Sequence, residues 1–210
     1  MSVVVAIKEN GRVYLGADSQ VTFGGSRMSL SNPNNYKIWK IRDTDNCLFG
    51  SVGRCRDANV IRILKNVVTE LDTLHNSINF EWVVSTLVPR LFSELGQYSL
   101  IETEGTPRMN SSFLFAYKDQ LYEISSDGCV IEIDDFDAIG SGASQAVGSL
   151  LSTVGKSPTS RIIAAIKASA TNDIYVDYPI VLSDTESTEF TIVEKENKKN
   201  EKDINKNKTE

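Results

Sequence analysis

Val3-Val4-Val5-Ala6-Ile7-Lys8, then Glu9-Asn10-Gly11, then Arg12-Val13-Tyr14-Leu15-Gly16-Ala17 is the stretch on which the fold turns. The first run is β-branched and unbroken, as expected of a strand buried on both faces, and Asn-Gly is a strong signal for a two-residue hairpin turn. The stretch predicts two adjacent strands at the head of the chain. Ser2, directly behind Met1, begins the first of them. With Met1 removed, Ser2 holds a hydroxyl and a free α-amine on one residue, a nucleophile and a general base within one water of each other.

Working outward, residues 19–23 extend the second strand, and the Gly/Ser/Asn/Pro-rich segment 24–35 reads as a loop. Residues 36–41 and 46–52 are expected strands joined across Arg42-Asp43-Thr44-Asp45. From 56 to about 75, Val60, Ile61, Leu64, Val67, Val68 and Leu71 recur at helical spacing, and residues 80–95 repeat the pattern with Pro89 as a kink site. Residues 112–117, 120–124 and 129–132 then predict a strand meander. Ile139-Gly140-Ser141-Gly142 leads into a small-residue helix over 144–154, and Ser157-Pro158-Thr159 caps another over 160–171. Strands over 174–182 and 189–193 close the series. The alternation predicts an α+β fold, a four-layer αββα sandwich of two antiparallel sheets flanked by helices, as one domain over 1–193. The charged segment 194–210 has almost nothing to bury and is expected to be a disordered tail.

Composition narrows the function. The chain has 210 residues, 40% hydrophobic, enough for one substantial core, and its net charge of −6 gives no general attraction for nucleic acid or anionic membrane. No run has the length of a spanning helix or the pattern of a secretory signal, so the expectation is a soluble, cytoplasmic protein. Cys47, Cys55 and Cys129 are an odd set without a CxxC pair, against a disulfide framework or a zinc site. His75, the only histidine, sits at an expected helix end and reads as a capping or solvated residue rather than as part of a Ser-His-Asp triad.

At this point the chain resembles the N-terminal-nucleophile hydrolases, in particular the proteasome β-subunit and HslV peptidase family, over residues 2–193. The residues that carry the resemblance are Val4-Val5-Ala6-Ile7 through Gly11-Arg12-Val13, Gly16-Ala17-Asp18-Ser19-Gln20-Val21-Thr22-Phe23-Gly24, Lys37-Ile38-Trp39-Lys40-Ile41, Phe49-Gly50-Ser51-Val52-Gly53 and Ile139-Gly140-Ser141-Gly142. The resemblance implies that Ser2 stands at the N-terminal threonine nucleophile and Asp18 at the acid that pairs with a catalytic lysine. Lys37 is that lysine if the preceding loop carries a short insertion; without one Asn34 takes the position, and Lys40 is a rival. Gly50 falls at the glycine whose N–H enters the oxyanion hole, and Ser141 and Asp173 at the residues supporting the N-terminal amine.

The same roles have a physical basis. An α-amine titrates near pH 7.7–8.0, and a buried ammonium at Lys37 lowers that value and favours the neutral base. Asp18 keeps the lysine charged, and Ser2 attacks a peptide carbonyl while its own amine takes the proton. Serine in place of threonine loses the methyl group that restricts χ1. Val3 stands where a second threonine is usual, and apolar Leu48 and Val52 beside Gly50 suggest a hydrophobic side-chain pocket. Two other readings stay open: a catalytically silent ring subunit, and a small-amide hydrolase of the wider N-terminal-nucleophile class. The resemblance also implies self-assembly into a hexameric or heptameric ring, stacked in pairs and fed unfolded protein by a separate ATP-dependent unfoldase. Peptide hydrolysis requires no cofactor; family members can hold a cation on backbone carbonyls near the Asp173 loop, and the residue types here do not establish one.

Overall fold

The apolar run forms β1 (Val3–Glu9) and turns at Asn10 and Gly11, both at positive φ (56° and 75°), into β2 (Arg12–Asp18). The computed structural model describes residues 1–41, 46–74 and 77–195. A small hairpin follows, β3 (Gln20–Phe23) and β4 (Ser26–Ser29), then β5 (Ile38–Lys40) and β6 (Cys47–Gly53). The helical segment comprises α1 (Cys55–Ile63), α2 (Glu70–Leu74), α3 (Phe80–Trp82), a π turn at Val83–Leu87 and α4 (Val88–Gln97). The strands β7 (Ser111–Tyr117), β8 (Gln120–Ile124), β9 (Val130–Glu132) and β10 (Phe136–Gly140) come next. Helices α5 (Ala143–Ser152) and α6 (Pro158–Asn172) precede β11 (Ile180–Asp184) and β12 (Thr191–Val193).

Two five-stranded antiparallel sheets result, ordered β10-β1-β2-β11-β12 and β5-β6-β7-β8-β9, with β3-β4 as a separate pair. Side-chain alternation along single strands builds the layers. In β1, Val4 and Ala6 enter the core between the sheets, whereas Val3, Val5 and Ile7 pack towards α5 and α6. In β7, Leu114 and Ala116 face the first sheet, and Phe113, Phe115 and Tyr117 face the helices α1–α4. The inter-sheet layer is mostly aliphatic, and the layer under α1–α4 is rich in aromatic rings. Three buried clusters between four layers are the αββα sandwich expected.

Several elements differ from the expectation. Residues 24–35 are not all loop, since β4 pairs Ser26–Ser29 with β3, and β3 leaves the sheet of β2 instead of prolonging it. The first long helix is interrupted after Ile63, where Val67 and Val68 are buried in non-helical backbone. A capping box restarts it: Thr69 N–H donates to Asp72 Oδ2 (2.8 Å) and Asp72 N–H returns to Thr69 Oγ1 (3.4 Å). Ahead of Pro89 the helix widens, with Val88 N–H donating to Val83 O, which relieves the crowding a proline ring imposes on the preceding turn. Strand β10 had no sequence counterpart, and of the strand expected over 174–182 only Ile180 onward pairs. The turn at 42–45, His75 and most of the expected tail lie outside the described residues.

Candidate active site

Ser2 lies at the leading end of β1, where the chain is held by its backbone. Val3 N–H donates to Asp18 Oδ1 (3.0 Å), and Ser2 O accepts from Gly142 N–H (3.2 Å) and Ser141 Oγ (3.4 Å). Gly140 permits this approach, because a Cβ there would stand 2.2 Å from Ser2 O. Ser2 N–H donates to Ser141 Oγ (3.0 Å), and the Ser2 hydroxyl donates to Met1 O. Ser2 is buried and Met1 exposed. Ser169 Oγ on α6 donates to Gly142 O (2.8 Å), tying the loop that holds Ser2 to the helical layer.

Asp18 ends β2 with its carboxylate wholly enclosed. Oδ1 accepts from Lys37 Nζ (2.7 Å) as well as from Val3, and Oδ2 accepts from Gln20 N–H (3.0 Å). Lys37 Nζ also donates to Gln20 O (2.6 Å). Burial lowers the Lys37 pKa, and the Asp18 charge opposes the fall; burial likewise raises that of Asp18, against the lysine and two backbone amides. The charge on Oδ1 thus sits between the ammonium and the first amide of β1. Of the alternatives at this position, Lys40 donates to Asp184 O (2.9 Å) and Asn34 lies exposed in a 3-10 turn, so only Lys37 meets Asp18.

Gly50 is not where its expected role requires it. Arg54 N–H donates to Asn110 O (3.2 Å) on the β7 side, and Gly50, opposite Leu114, shares that hydrogen-bonding phase. The Gly50 N–H is directed into the β6–β7 ladder, and its Cα presses on the inter-sheet core, where an added Cβ would stand 2.6 Å from Val4 Cγ1. Leu48 is buried in that same core rather than in a pocket. Gly53 has the opposite phase: Ser51 N–H donates to Lys37 O (2.9 Å), and Gly53, two residues on, points to the same side, where β5 has not yet begun. Gly53 lines a cleft together with Ser2, Lys37, Ser51 and Val52. The strand's two-residue phase, read across Phe49-Gly50-Ser51-Val52-Gly53, is the signal that separates the two glycines.

Buried Asp57, near the start of α1, accepts from Ser111 Oγ (2.9 Å), which itself accepts from Arg54 N–H (3.1 Å), so the turn after Gly53 is braced from two elements. Asp173 does not reach the Ser2 amide. Its Oδ1 accepts from Tyr175 N–H (2.9 Å), its Oδ2 is buried without a partner, and its charge is felt at Lys37. The Asp173 and Ile174 carbonyls accept from Val176 N–H and Gln20 Nε2. Those two acceptors are committed within the chain, and among the described residues no group of three or more His, Cys, Asp or Glu is placed to hold a metal ion. None of the three cysteines is in a disulfide, and no helix among the described residues is long and apolar enough to cross a membrane.

The αββα sandwich is also what comparison with known proteins returns. The sandwich is shared with Thiobacillus denitrificans BPH, solved in complex with epoxomicin, at a TM-score of 0.68 and 17% identity over 89% of this chain and 100% of that one. Eukaryotic HslV from Trypanosoma brucei gives 0.60 and 21% over 87% and 98%, and the Anbu (Gly-1) mutant from Hyphomicrobium sp. strain MC1 gives 0.63 and 13% over 98% and 91%. At those identities the likeness is one of fold. The family model for the proteasome subunit matches residues 2–168, from Ser2 through most of α6, and the chain belongs to the proteasome subunit family.

Proposed function

We propose that, once Met1 is removed, this chain is an N-terminal serine peptidase subunit of a proteasome-like or HslV-like compartmental protease. The family is one of peptidases. The observation that carries the finer reading is the line of groups from Ser2 through Val3 N–H and Asp18 to Lys37, beside an open cleft. Ser2 Oγ attacks the substrate carbonyl as its own α-amine accepts the hydroxyl proton, directly or through a water beside Ser141. The Lys37 ammonium disfavours a second positive charge on that amine, which keeps the base neutral near pH 7. Gly53 N–H, in place of Gly50, stabilises the oxyanion, a contribution of about 3 kcal/mol per donor. The amine then protonates the leaving nitrogen, and water hydrolyses the acyl ester on Ser2.

Mass spectrometry of the native N-terminus, combined with labelling by epoxomicin or another electrophilic peptide, tests this reading. The expected result is a chain beginning at Ser2 with the label on Ser2; a label elsewhere, or full peptidase activity in Ser2→Ala, overturns it. A silent ring subunit is the outcome if Met1 is retained, because Ser2 then has no free amine. Hydrolysis of a small amide but not of unfolded protein indicates the amidohydrolase alternative. Assembly into a homo-oligomeric, stacked ring served by a separate unfoldase, in the cytoplasm, belongs to the same proposal.

A further inference from the structure

The cleft beside Ser2 has an unbalanced charge. Lys37, Arg54 and Arg62 line it, and no carboxylate does, in a chain whose net charge is −6. Lys37 is neutralised by Asp18. Arg62 has no ion-pair partner among the described residues.

Arg62 is also held in place. It lies in the last turn of α1, its guanidinium carbon 4.9 Å from the Trp39 ring centroid, with Nη2 donating to Tyr36 O. Its Nε is buried without an acceptor. Burial lowers its pKa to about 10, so it stays positive at neutral pH. A half-buried cation without a counter-charge is costly, and a guanidinium held over the Trp39 ring can give a carboxylate a charge-assisted hydrogen bond. Val21, Leu30 and Ala58 supply apolar wall for the methylenes leading to such a group. The cleft also borders Ser2 and Gly53, so it receives the side chain of the residue whose carbonyl is attacked.

We infer that this cleft selects substrates with an acidic side chain, glutamate or aspartate, on the acyl side of the cleaved bond, with Arg62 as the specificity-determining residue. The inference rests on the assignment of Ser2 as nucleophile. It replaces the hydrophobic pocket expected from Leu48 and Val52, since Leu48 lies in the core.

The test uses full-length, Met1-free protein and a panel of fluorogenic peptides differing only at the residue before the scissile bond: Glu, Asp, Leu, Phe and Lys. The wild type is expected to show kcat/KM for Glu above that for Leu by about tenfold to a hundredfold, the range of a charge-assisted hydrogen bond. In Arg62→Gln that ratio falls towards unity, and in Arg62→Lys it is intermediate, with melting temperatures reporting whether each variant is folded. Affinity of the Ser2→Ala protein for the uncleaved Glu and Leu peptides reads the same preference without chemistry, also in a variant carrying Arg62→Gln. Preference for Leu, Phe or Lys in the wild type, or a ratio unchanged in folded Arg62→Gln, overturns the inference and leaves the nucleophile standing. Absence of hydrolysis and of Ser2 labelling with every peptide, alongside preferential binding of the Glu peptide, overturns the nucleophile and retains the acidic selectivity of the cleft.

Discussion

Asp18 is a single carboxylate that answers to three donors, the amides of Val3 and Gln20 and the ammonium of Lys37. Removing the lysine leaves that charge enclosed and unpaired. Lys37→Ala is expected to cost about 3–5 kcal/mol in denaturant unfolding, together with loss of peptidase activity, and a loss under 1 kcal/mol would show that the pair is not buried as described. Gly50→Ala separates the two glycines of β6. Its new methyl overpacks Val4, so a loss of about 1–3 kcal/mol in stability is expected, with the activity of the folded fraction maintained. Full stability of Gly50→Ala would show that Gly50 does not press on the inter-sheet core as described. At this scale the sequence was informative about Ser2, Asp18, Lys37 and Ser141, which the structure brings together at the end of β1. It was less so about Gly50 and Asp173: which way a backbone N–H points depends on strand phase, and what Asp173 touches depends on the path of its loop. Arg62, one turn of helix past Ala58, carried no mark in sequence that set it apart from other surface arginines.

Elements were legible where hydrophobic periodicity was strong and turns were marked, as in β1, β2, β7 and β8. They were lost where tertiary packing overrode periodicity. Val60, Ile61, Leu64, Val67 and Val68 fit one helical stripe, yet the Thr69–Asp72 box begins a new helix and the valines are buried from a bend. Thr69-Glu70-Leu71-Asp72 was the available signal. Thr69→Ala is expected to cost about 1 kcal/mol, measured by thermal or urea unfolding, and no loss would show that the box does not set the break. Phe136-Asp137-Ala138-Ile139-Gly140 concealed a strand because it follows acidic residues and ends in glycine. The aromatic layer offers a stronger check. Phe115 stacks with Tyr122 and packs against Phe49 and Trp82, so Phe115→Ala is expected to destabilise by about 3–5 kcal/mol.

Across the whole molecule, an acidic pair joins the two sheets beside their apolar core. Glu123 on β8 and Asp137 on β10 belong to different sheets and share a hydrogen bond. Burial, then the Asp137 charge and that bond, push the Glu123 carboxyl up to about 7. The folded state holds this proton more tightly than the unfolded chain does. Its stabilisation is complete below the ordinary glutamate value of 4.5 and is lost as pH rises through about 7. The melting temperature should therefore decline from pH 5 to pH 8 by an amount that Glu123→Gln abolishes; an identical slope in the variant would assign the effect elsewhere. The proposed ring predicts sedimentation well above 23.2 kDa at micromolar concentration, and a monomer would contradict it. The clamp on β1 acts at this scale too. With Val3 N–H on Asp18 and Ser2 O on Gly142 N–H, the strand cannot slide, and the sandwich works as a ruler with its zero mark at the Met1–Ser2 bond. Trimming one residue too few leaves an amide at the mark, and one too many leaves a valine without a hydroxyl. On the proposed assignment of Ser2, only one cut yields a working end, and its position is the one the clamped strand marks.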